Sequence, residues 1–386
     1  MKKQITTKKL ICFALAFIAA LSLISATQDQ DSEKDNEITF ITVSAGSHYS
    51  FALTSDGNLW AWGSNGNGQL GDGTFLGKRK PVKVMDEVVA VSAGYYHTLA
   101  IKDDGSLWAF GNNGYGGVGD ETKDKKSMPV KIMDEVIAVS AGNNYSFAIK
   151  NDGTLWAWGY NKNGELGDGT TTNRLKPVKI MDEVTAVSAG NSHSFAIKSD
   201  GTLWAWGVNF YGQLGDGTTI NRRKPVKVMD KVMSVNAGFN HSLAVKSDGT
   251  LWAWGHNLYG QLGDGTTKSK HTPVKIMDKV TAASAGQNHG FAVKNDGTLW
   301  AWGHNLYGQL GDATTKNKHT PVKIMDKVTA VSAGYWHNLA LTDEDSILWT
   351  WGNNSSGQLG DGTTIKKDIP MQILYFIQMN AGKGEK

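Results

Sequence analysis

The sequence predicts an all-β protein built as a seven-bladed β-propeller of four-stranded antiparallel blades. One observation is an Ala-Gly pair that recurs every 48 residues. Its glycines are Gly46, Gly94, Gly142, Gly190, Gly238, Gly286, Gly334 and Gly382. Each repeat also holds four short runs of β-branched and aromatic residues separated by glycine turns, and helical periodicity is missing after the first 26 residues. A fixed period of this length indicates stacked units that share one continuous core.

Two segments precede the repeats. Residues 1–26 combine a lysine-rich start with an apolar run, Leu10 to Ala26, that is short for a membrane span. This layout predicts a secretory signal peptide, with a retained anchor as the alternative. Its removal would take Cys12, the single cysteine, so the mature chain would have no disulfide. Residues 27–37 contain no apolar residue and predict a flexible acidic linker. We therefore expect a secreted or cell-envelope-associated protein.

The charge balance argues against a nucleic-acid partner. Four of the 39 basic residues lie in residues 1–26, so the remainder carries 35 basic and 36 acidic residues. A chain that binds nucleic acid through its overall charge would be strongly basic. We predict no nucleic-acid partner, no stable membrane span after signal cleavage, and a monomer.

The fourth repeat illustrates the predicted blade. Its strands are expected at Thr185 to Ser188, Ser194 to Lys198, Thr202 to Trp206 and Val226 to Met229. Asp200-Gly201 predicts a two-residue type I′ hairpin between the second and third strands. One proline per repeat is expected just before the fourth strand, which predicts that this strand forms the outer rim. These prolines are Pro81, Pro129, Pro177, Pro225, Pro273, Pro321 and Pro370.

The propeller is predicted to cover residues 38–382, followed by a short tail at 383–386. The eighth Ala-Gly pair lies in the segment 374–382, which repeats the first strand of a blade. Seven blades need seven such strands, so this copy is expected to close the ring as a strap. The alternative is the start of an unfinished eighth blade.

Recurrent aromatic and polar positions predict structural roles. Twelve of the 14 tryptophans form six Trp-x-Trp pairs on the third strand and Trp108 pairs with Phe110, which favours packing between blades over carbohydrate stacking. A histidine or tyrosine follows each Ala-Gly glycine by three residues, at Tyr49, His97, Tyr145, His193, His241, His289 and His337. We expect a structural hydrogen bond there, with a metal ring as the alternative. An aspartate recurs in a glycine-rich loop, at Asp72, Asp120, Asp168, Asp216, Asp264, Asp312 and Asp361. This pattern favours a turn over a calcium site.

The repeats differ most in the two residues after each Ala-Gly pair, and this variation predicts a binding surface. Alternate loops of antiparallel blades lie on one face, so aromatic residues in them are expected to form hot spots. The candidates are His48, Tyr95, Tyr96, Phe239, Tyr335 and Trp336, with Phe210, Tyr211, Tyr259 and Tyr307 from the other loop on that face. The alternative is that these rings only cover the channel mouth, and packing is favoured for the second set. Basic residues before each proline are expected on the outer rim, solvated or bound to an anionic cell-wall polymer.

Two motifs carry a family resemblance. These are Ala189-Gly190-x-x-His193-Ser194 and Trp204-Ala205-Trp206-Gly207-x-Asn209-x-x-Gly212-Gln213-Leu214-Gly215. Over about residues 38–382 the chain resembles the regulator of chromosome condensation repeat family. The resemblance implies a propeller fold. It also implies two possible activities, because the eukaryotic founder is a guanine nucleotide exchange factor and a secreted bacterial member inhibits β-lactamases. This chain resembles the secreted bacterial type more closely, in its signal peptide and its compact Gly-Asp-Gly-Thr loops.

These observations predict a non-catalytic secreted protein that engages an extracellular protein, or a cell-wall polymer, through its aromatic loop face. No cofactor or metal is expected. The alternatives are an exchange-type regulator, implied by the resemblance, and an enzyme with its site in the central channel. No nucleophile elbow or phosphate loop supports the enzyme alternative.

Overall fold

A computed structural model describes residues 38–343 and 346–373. The predicted signal peptide (1–26), acidic linker (27–37), closing strand (374–382) and tail (383–386) lie outside these ranges. Within the described residues no helix has the length and hydropathy of a membrane span.

The described chain forms seven blades of four strands. Blade 1 contains β1 (Phe40–Ala45), β2 (Tyr49–Thr54), β3 (Leu59–Gly63) and β4 (Lys78–Met85). Blade 2 contains β5 (Val88–Ala93), β6 (His97–Lys102), β7 (Leu107–Gly111) and β8 (Lys126–Met133). Blade 3 contains β9 (Val136–Ala141), β10 (Tyr145–Lys150), β11 (Leu155–Gly159) and β12 (Arg174–Met181). Blade 4 contains β13 (Val184–Ala189), β14 (His193–Lys198), β15 (Leu203–Gly207) and β16 (Arg222–Met229).

The remaining blades repeat this order. Blade 5 contains β17 (Val232–Ala237), β18 (His241–Lys246), β19 (Leu251–Gly255) and β20 (Lys270–Met277). Blade 6 contains β21 (Val280–Ala285), β22 (His289–Lys294), β23 (Leu299–Gly303) and β24 (Lys318–Met325). Blade 7 contains β25 (Val328–Ala333), β26 (His337–Thr342), β27 (Leu348–Gly352) and β28 (Lys367–Gln372). In every blade the strands pair antiparallel in chain order, which confirms the predicted fold class.

The fourth strand of each blade is longer than predicted. In blade 4 it begins at Arg222, and Pro225 lies inside the strand rather than before it. The register shifts between the pairs Gly207↔Arg222 and Ala205↔Val226, so the proline lies in an irregular stretch of an edge strand. An edge strand tolerates proline there because its missing N–H is not needed by a neighbour. The predicted position on the outer rim is confirmed, since this strand pairs only with the third strand.

The hairpin between the second and third strands also differs from the prediction. Gly201 has φ 77°, but Asp200 is not in the left-handed region, so the turn is not type I′. The amide of Gly201 donates to Lys198 O at 2.9 Å, and Lys198 N donates to Thr202 O at 3.0 Å. This is a three-residue loop with glycine at its left-handed position. The Asp200 carboxylate stabilises it by accepting from Thr202 N at 2.9 Å and from Thr202 Oγ1 at 2.7 Å.

The core lies between successive blades. One cluster joins Phe195 and Leu203 of blade 4 to Val235 and Trp254 of blade 5, and the equivalent cluster joins Trp62 of blade 1 to blade 7. The second tryptophan of each pair is fully buried. Its indole N–H donates to a backbone carbonyl of the preceding blade, as from Trp254 to Gln213 O at 2.8 Å. The predicted packing role of these residues is therefore seen directly.

Four of the five recurrent histidines hydrogen-bond to a neighbouring blade; the exception is His241, which faces Gly290 where the others meet Ser or Asn. His193 Nε2 lies 3.0 Å from Ser242 Oγ of blade 5, and His97 Nε2 lies 2.7 Å from Ser146 Oγ of blade 3. Tyr145 replaces the imidazole with a hydroxyl that donates to His193 O at 2.8 Å. Histidine and tyrosine thus share a hydrogen-bonding role between blades, as the sequence predicted.

The recurrent Ala-Gly position requires glycine because a Cβ would clash with neighbouring atoms, and not because the backbone has a positive φ there. A Cβ on Gly238 would lie 2.6 Å from His241 Cε1 and 2.8 Å from Gly286 O. Each such glycine therefore abuts the carbonyl of the next one around the ring, and at the closing joint a Cβ on Gly334 would lie 2.6 Å from Gly46 O. The seven glycines form a closed ring at one end of the channel.

Candidate binding surface

The loops between first and second strands and those between third and fourth strands lie on the same face, as predicted. A direct contact shows this: Trp336, in the loop between the first and second strands of blade 7, lies 4.8 Å from Tyr307, in the loop between the third and fourth strands of blade 6, measured between ring centroids. Seven aromatic side chains from five blades form one connected cluster on this face through ring contacts. We call this cluster the aromatic patch; its members are His48, Tyr95, Tyr96, Phe239, Tyr307, Tyr335 and Trp336.

Three rings of the aromatic patch meet across the channel. Tyr95 lies 6.2 Å from Phe239 and 5.7 Å from Tyr335, and Phe239 lies 5.8 Å from Tyr335. Their own backbone amides donate to the glycine ring, as from Tyr95 N to Gly142 O at 3.2 Å and from Tyr335 N to Gly46 O at 3.3 Å. The rings are therefore held by the rigid part of the scaffold. The structure contains the channel-covering arrangement that the sequence left as an alternative.

Trp336 connects this triad to the rest of the patch. Its indole ring lies 4.7 Å from Tyr335, 5.5 Å from His48 and 4.8 Å from Tyr307. Trp336 is half-buried, whereas Tyr96 is 38% exposed and contacts Tyr95 at 6.4 Å. Blades 7 and 1 are neighbours in the closed ring, which explains why His48 meets residues that are almost 300 positions away in the sequence.

The other predicted residues lie beside the aromatic patch. Phe210 is 67% exposed, Tyr211 contacts the ring of His256 at 4.5 Å, and Tyr259 contacts the ring of His304 at 4.8 Å between centroids. They are not joined to the patch by ring contacts between described residues. Sequence reasoning missed several of their neighbours on the third-to-fourth loops of blades 4 to 6. We call the whole series the outer arc; its members are Phe210, Tyr211, His256, Leu258, Tyr259, His304 and Leu306.

The outer arc is the more exposed part of this face. Leu258 and Leu306 are 60% and 58% exposed and occupy the same repeat position as Phe210. The corresponding residues in the first three blades are Gly66, Gly114 and Lys162. Aligning the repeats at this position would have identified the arc, because three consecutive blades place an apolar residue at a loop tip. At this loop-tip position the residue is thus apolar in blades 4 to 6 and is glycine or lysine in blades 1 to 3.

The aromatic patch and outer arc are electrically neutral near pH 7. Burial raises the pKa of Tyr95 and Tyr335 above the usual value for a phenol. Burial lowers the pKa of His48, His256 and His304, so these imidazoles are neutral as well. No Asp, Glu, Lys or Arg belongs to either set of residues. Such a surface costs little to desolvate and offers no charge for long-range attraction.

One buried acid lies below this face. Glu165 occupies the position that is glutamine in most repeats, and burial raises the pKa of its carboxyl group. The carboxylate accepts from Asn163 N and from Asn163 Nδ2, both at 2.8 Å. Its oxygens are satisfied by a neighbour in the same loop, which is a structural arrangement. An acid–base pair would need a second group in an unlike environment, and Glu165 has no carboxylate partner among the described residues.

The recurrent aspartates hold the glycine-rich loops together. Asp216 accepts from Asn209 Nδ2 at 3.0 Å, from Thr218 N at 3.0 Å and from Arg222 Nε at 2.7 Å. These bonds and the charge of Arg222 lower the pKa of the Asp216 carboxyl group even though burial opposes that shift. In residues 38–343 and 346–373 no cluster of three or more His, Cys, Asp or Glu side chains is arranged to hold a metal. The loops therefore have a structural explanation.

The rim basic residues lie where they were predicted, on the outer strands. One basic residue of each group is paired with the loop aspartate of its own blade, as in Arg222–Asp216 at 2.7 Å and Lys126–Asp120 at 2.8 Å. The following residues, such as Arg223 and Lys224, are exposed or half-exposed. The rim charge available to a polymer is therefore smaller than the sequence suggests.

A cavity lies at the channel mouth beneath the triad. Its empty volume is about 460 Å³, and alanines and glycines of the first strands line most of its wall. The few other lining residues are Ser47, Tyr95, Gln287 and Tyr335. Ser47 is already committed to a hydrogen bond with Tyr95 O. The wall thus supplies backbone and methyl groups, with no titratable acid or imidazole among the lining residues.

Solved structures of similar fold cover most of this chain. Yeast RCC1 (Prp20), solved bound to Kap60, has 20% sequence identity and a TM-score of 0.74, over 92% of this chain and 90% of that one. Prp20p from Saccharomyces cerevisiae, reported with its binding to Gsp1p and histones, has 22% identity and a TM-score of 0.74 over 87% of each chain. Human WBSCR16 has 23% identity and a TM-score of 0.72 over 80% of this chain and 87% of that one.

These neighbours contradict the predicted location. We expected a secreted or cell-envelope-associated protein, but the matching proteins are intracellular eukaryotic members, and the yeast protein works with Kap60, Gsp1p and histones. The leader that suggested secretion lies outside the described residues. The predicted family, in contrast, is confirmed by a family model. That model, described as the RCC1-like domain, matches residues 20–276 and 179–383 in two overlapping segments, and the chain belongs to the RCC1-like domain family.

Proposed function

We propose that this protein binds another protein through the aromatic patch and the adjoining outer arc, without covalent chemistry. The observation that carries this proposal is the connected set of rings from Tyr96 through Tyr335 and Trp336 to Tyr307, none of which carries a formal charge. Tyrosine and tryptophan are enriched at binding hot spots because they bury much area at a small entropic cost. A contiguous exposed apolar surface of this kind is typical of interaction sites.

The rigid mounting of the rings supports the same proposal. Tyr95, Phe239 and Tyr335 are anchored to the glycine ring by their backbone amides, so little order has to be gained on binding. Preorganised contact residues keep more of the interaction free energy as affinity. The outer arc adds the exposed side chains Phe210, Leu258 and Leu306 around the patch. The partner surface is expected to be apolar and to carry few charges.

The structural neighbours favour a second, more specific candidate function. RCC1 and Prp20p match nearly the whole of this chain in fold, and Prp20p binds Gsp1p and histones. The more specific candidate is therefore a regulator of the guanine nucleotide exchange type. It acts by binding, since exchange requires no covalent step by the propeller.

The test of the binding proposal is substitution with comparative capture. Immobilised wild-type protein and the Tyr335→Ala/Trp336→Ala variant are incubated with an extract of the native host, and retained proteins are quantified by mass spectrometry. Phe75→Ala is the matched control, because Phe75 is a 50% exposed aromatic residue outside both the patch and the arc. We expect a partner that is retained by wild type and the control and lost from the double variant. Equal retention by all three folded proteins would overturn the proposal.

The exchange candidate has its own readout. A retained partner that is a GTP-binding protein is loaded with fluorescent GDP, and the release rate is measured with and without the propeller. Accelerated release supports the regulator. If a partner binds through the patch but its rate of GDP release does not change, the binding proposal stands and the exchange candidate is excluded.

A further inference from the structure

The face opposite the aromatic patch carries a separate charge pattern. It is formed by the loops between second and third strands and by the turns between blades. Those turns contain Asp-Glu before blades 2 to 4 and Asp-Lys before blades 5 to 7. The changing residues are all exposed and all in the left-handed region with φ between 59° and 65°; they are Glu87, Glu135, Glu183, Lys231, Lys279 and Lys327. The scaffold therefore accepts either residue type at this position without a change in backbone.

The glutamates are paired with the last lysine of the second strand in the same blade. Lys102 lies 3.1 Å from Glu87, Lys150 lies 3.0 Å from Glu135, and Lys198 lies 3.2 Å from Glu183. The hairpin aspartates, Asp104 in blade 2 and its equivalents, then leave a net negative charge in each of these blades. We call blades 2 to 4 on this face the acidic sector.

Blades 5 and 6 invert that balance. Each places two lysines where the acidic sector has one glutamate and one lysine, and we call this region the basic sector; its lysines are Lys231, Lys246, Lys279 and Lys294. None of the four forms an ion pair with a described residue. Lys294 lies 4.6 Å from the ring of Trp300, closer than the 5.9 Å between Lys198 and Trp204 in the acidic sector.

We propose that two copies of this chain associate through this face, with the basic sector of each over the acidic sector of the other. The two sectors are adjacent on the ring, so a twofold axis in the plane of the interface, passing between blades 4 and 5, places blade 4 over blade 5 and blade 3 over blade 6. A twofold pairing uses the same surface on both copies, and this face is self-complementary in charge. The partner at this face is therefore a second copy of the same chain, because the charge pattern of the face is complementary to itself.

The expected association is weak and depends on salt. Exposed ion pairs each contribute about 0.2–1 kcal/mol, so a few of them form a dimer only at high protein concentration. At about 0.01 M salt the Debye length is ~30 Å, and at about 1 M it is ~3 Å. The aromatic patches face outward on both copies in this arrangement, so the proposed protein-binding function does not depend on it.

The experiment is sedimentation velocity on the full chain at low and high salt. We expect the average mass to rise with concentration at low salt and to stay monomeric at high salt. Lys231→Glu/Lys279→Glu should weaken self-association about tenfold or more, and so should Glu135→Lys/Glu183→Lys. The fourfold charge swap should restore it, and a mixture of the two double variants should form heterodimers. Thermal melting confirms that each variant is folded.

Two outcomes would overturn the inference. The first is a monomer at every salt and concentration up to the solubility limit. The second is self-association that survives the Lys231→Glu/Lys279→Glu change, because the contact would then lie elsewhere. A charge swap that fails to restore an association lost in both double variants also counts against it.

Discussion

Trp254 and Trp302 occupy the same position in blades 5 and 6, and replacing each with phenylalanine compares the loss of the same hydrogen bond between blades at two sites. Trp254 donates to Gln213 O at 2.8 Å, and Ser242 Oγ donates to the same carbonyl at 2.8 Å. Trp302 donates to Gln261 O at 2.9 Å, but the residue equivalent to Ser242 is Gly290. Among the described residues this carbonyl has no second donor. Phenylalanine fits the site, because Phe110 replaces the tryptophan in blade 2 and is fully buried.

We expect Trp302→Phe to be more destabilising than Trp254→Phe. Trp254→Phe loses one of two hydrogen bonds and part of a ring, which costs about 1–1.5 kcal/mol. Trp302→Phe leaves a buried carbonyl bare, which adds about 1–2 kcal/mol. Equilibrium urea unfolding followed by far-UV circular dichroism measures the difference. Equal midpoints, or a larger effect at Trp254, would refute the argument that the second donor matters.

Further predictions concern the buried histidines, the glycine ring and the aspartate loops. Burial lowers the pKa of His193 to about 3, below the ordinary 6.5, so its stabilisation is present above pH 6.5 and is lost as the pH falls towards 3. His193→Tyr should therefore flatten the loss of unfolding free energy with acid by up to about 1.4 kcal/mol per pH unit, measured by urea titrations between pH 7 and about 4. Gly238→Ala should cost about 3 kcal/mol because its Cβ meets His241, whereas Gly66→Ala, with no atom within 4 Å, should change stability by less than about 0.5 kcal/mol. Asp216→Ala should lower stability by about 2 kcal/mol while EDTA leaves the melting temperature of the wild type unchanged, and a chelator-sensitive melt would contradict the turn assignment.

The fold was predictable because every repeat carries the same strand and turn signals. The period, the Trp-x-Trp pairs and the single proline per repeat each constrain a different strand, and together they require seven four-stranded blades. Two local predictions were wrong for physical reasons. Asp200-Gly201 suits a two-residue turn, but Lys198 and Thr202 pair across a three-residue loop instead. Pro225 was expected to mark a strand start, but an edge strand can include it.

The candidate surface was only partly predictable. Sequence reasoning selected variable residues in the right loops, and ring closure brings Trp336 to His48 as expected. It did not separate the connected aromatic patch from Phe210, Tyr211 and Tyr259, because contact between loops depends on side-chain reach. Leu258 and Leu306 were missed since an isolated leucine in a loop carries no chemical signal of its own.

The joint between blades 7 and 1 is made of bonds that recur at other joints. Ala45 N donates to Ser332 Oγ at 2.9 Å just as Ala93 N donates to Ser44 Oγ at 2.9 Å, and Trp62 donates to Gln358 O at 2.8 Å. No described blade borrows a strand from the opposite end of the chain. The bonds between blades therefore do not distinguish the joint that links the first and last described blades from the other joints of the ring. The order of the blades matters only to the loops, where it decides which aromatic residues become neighbours.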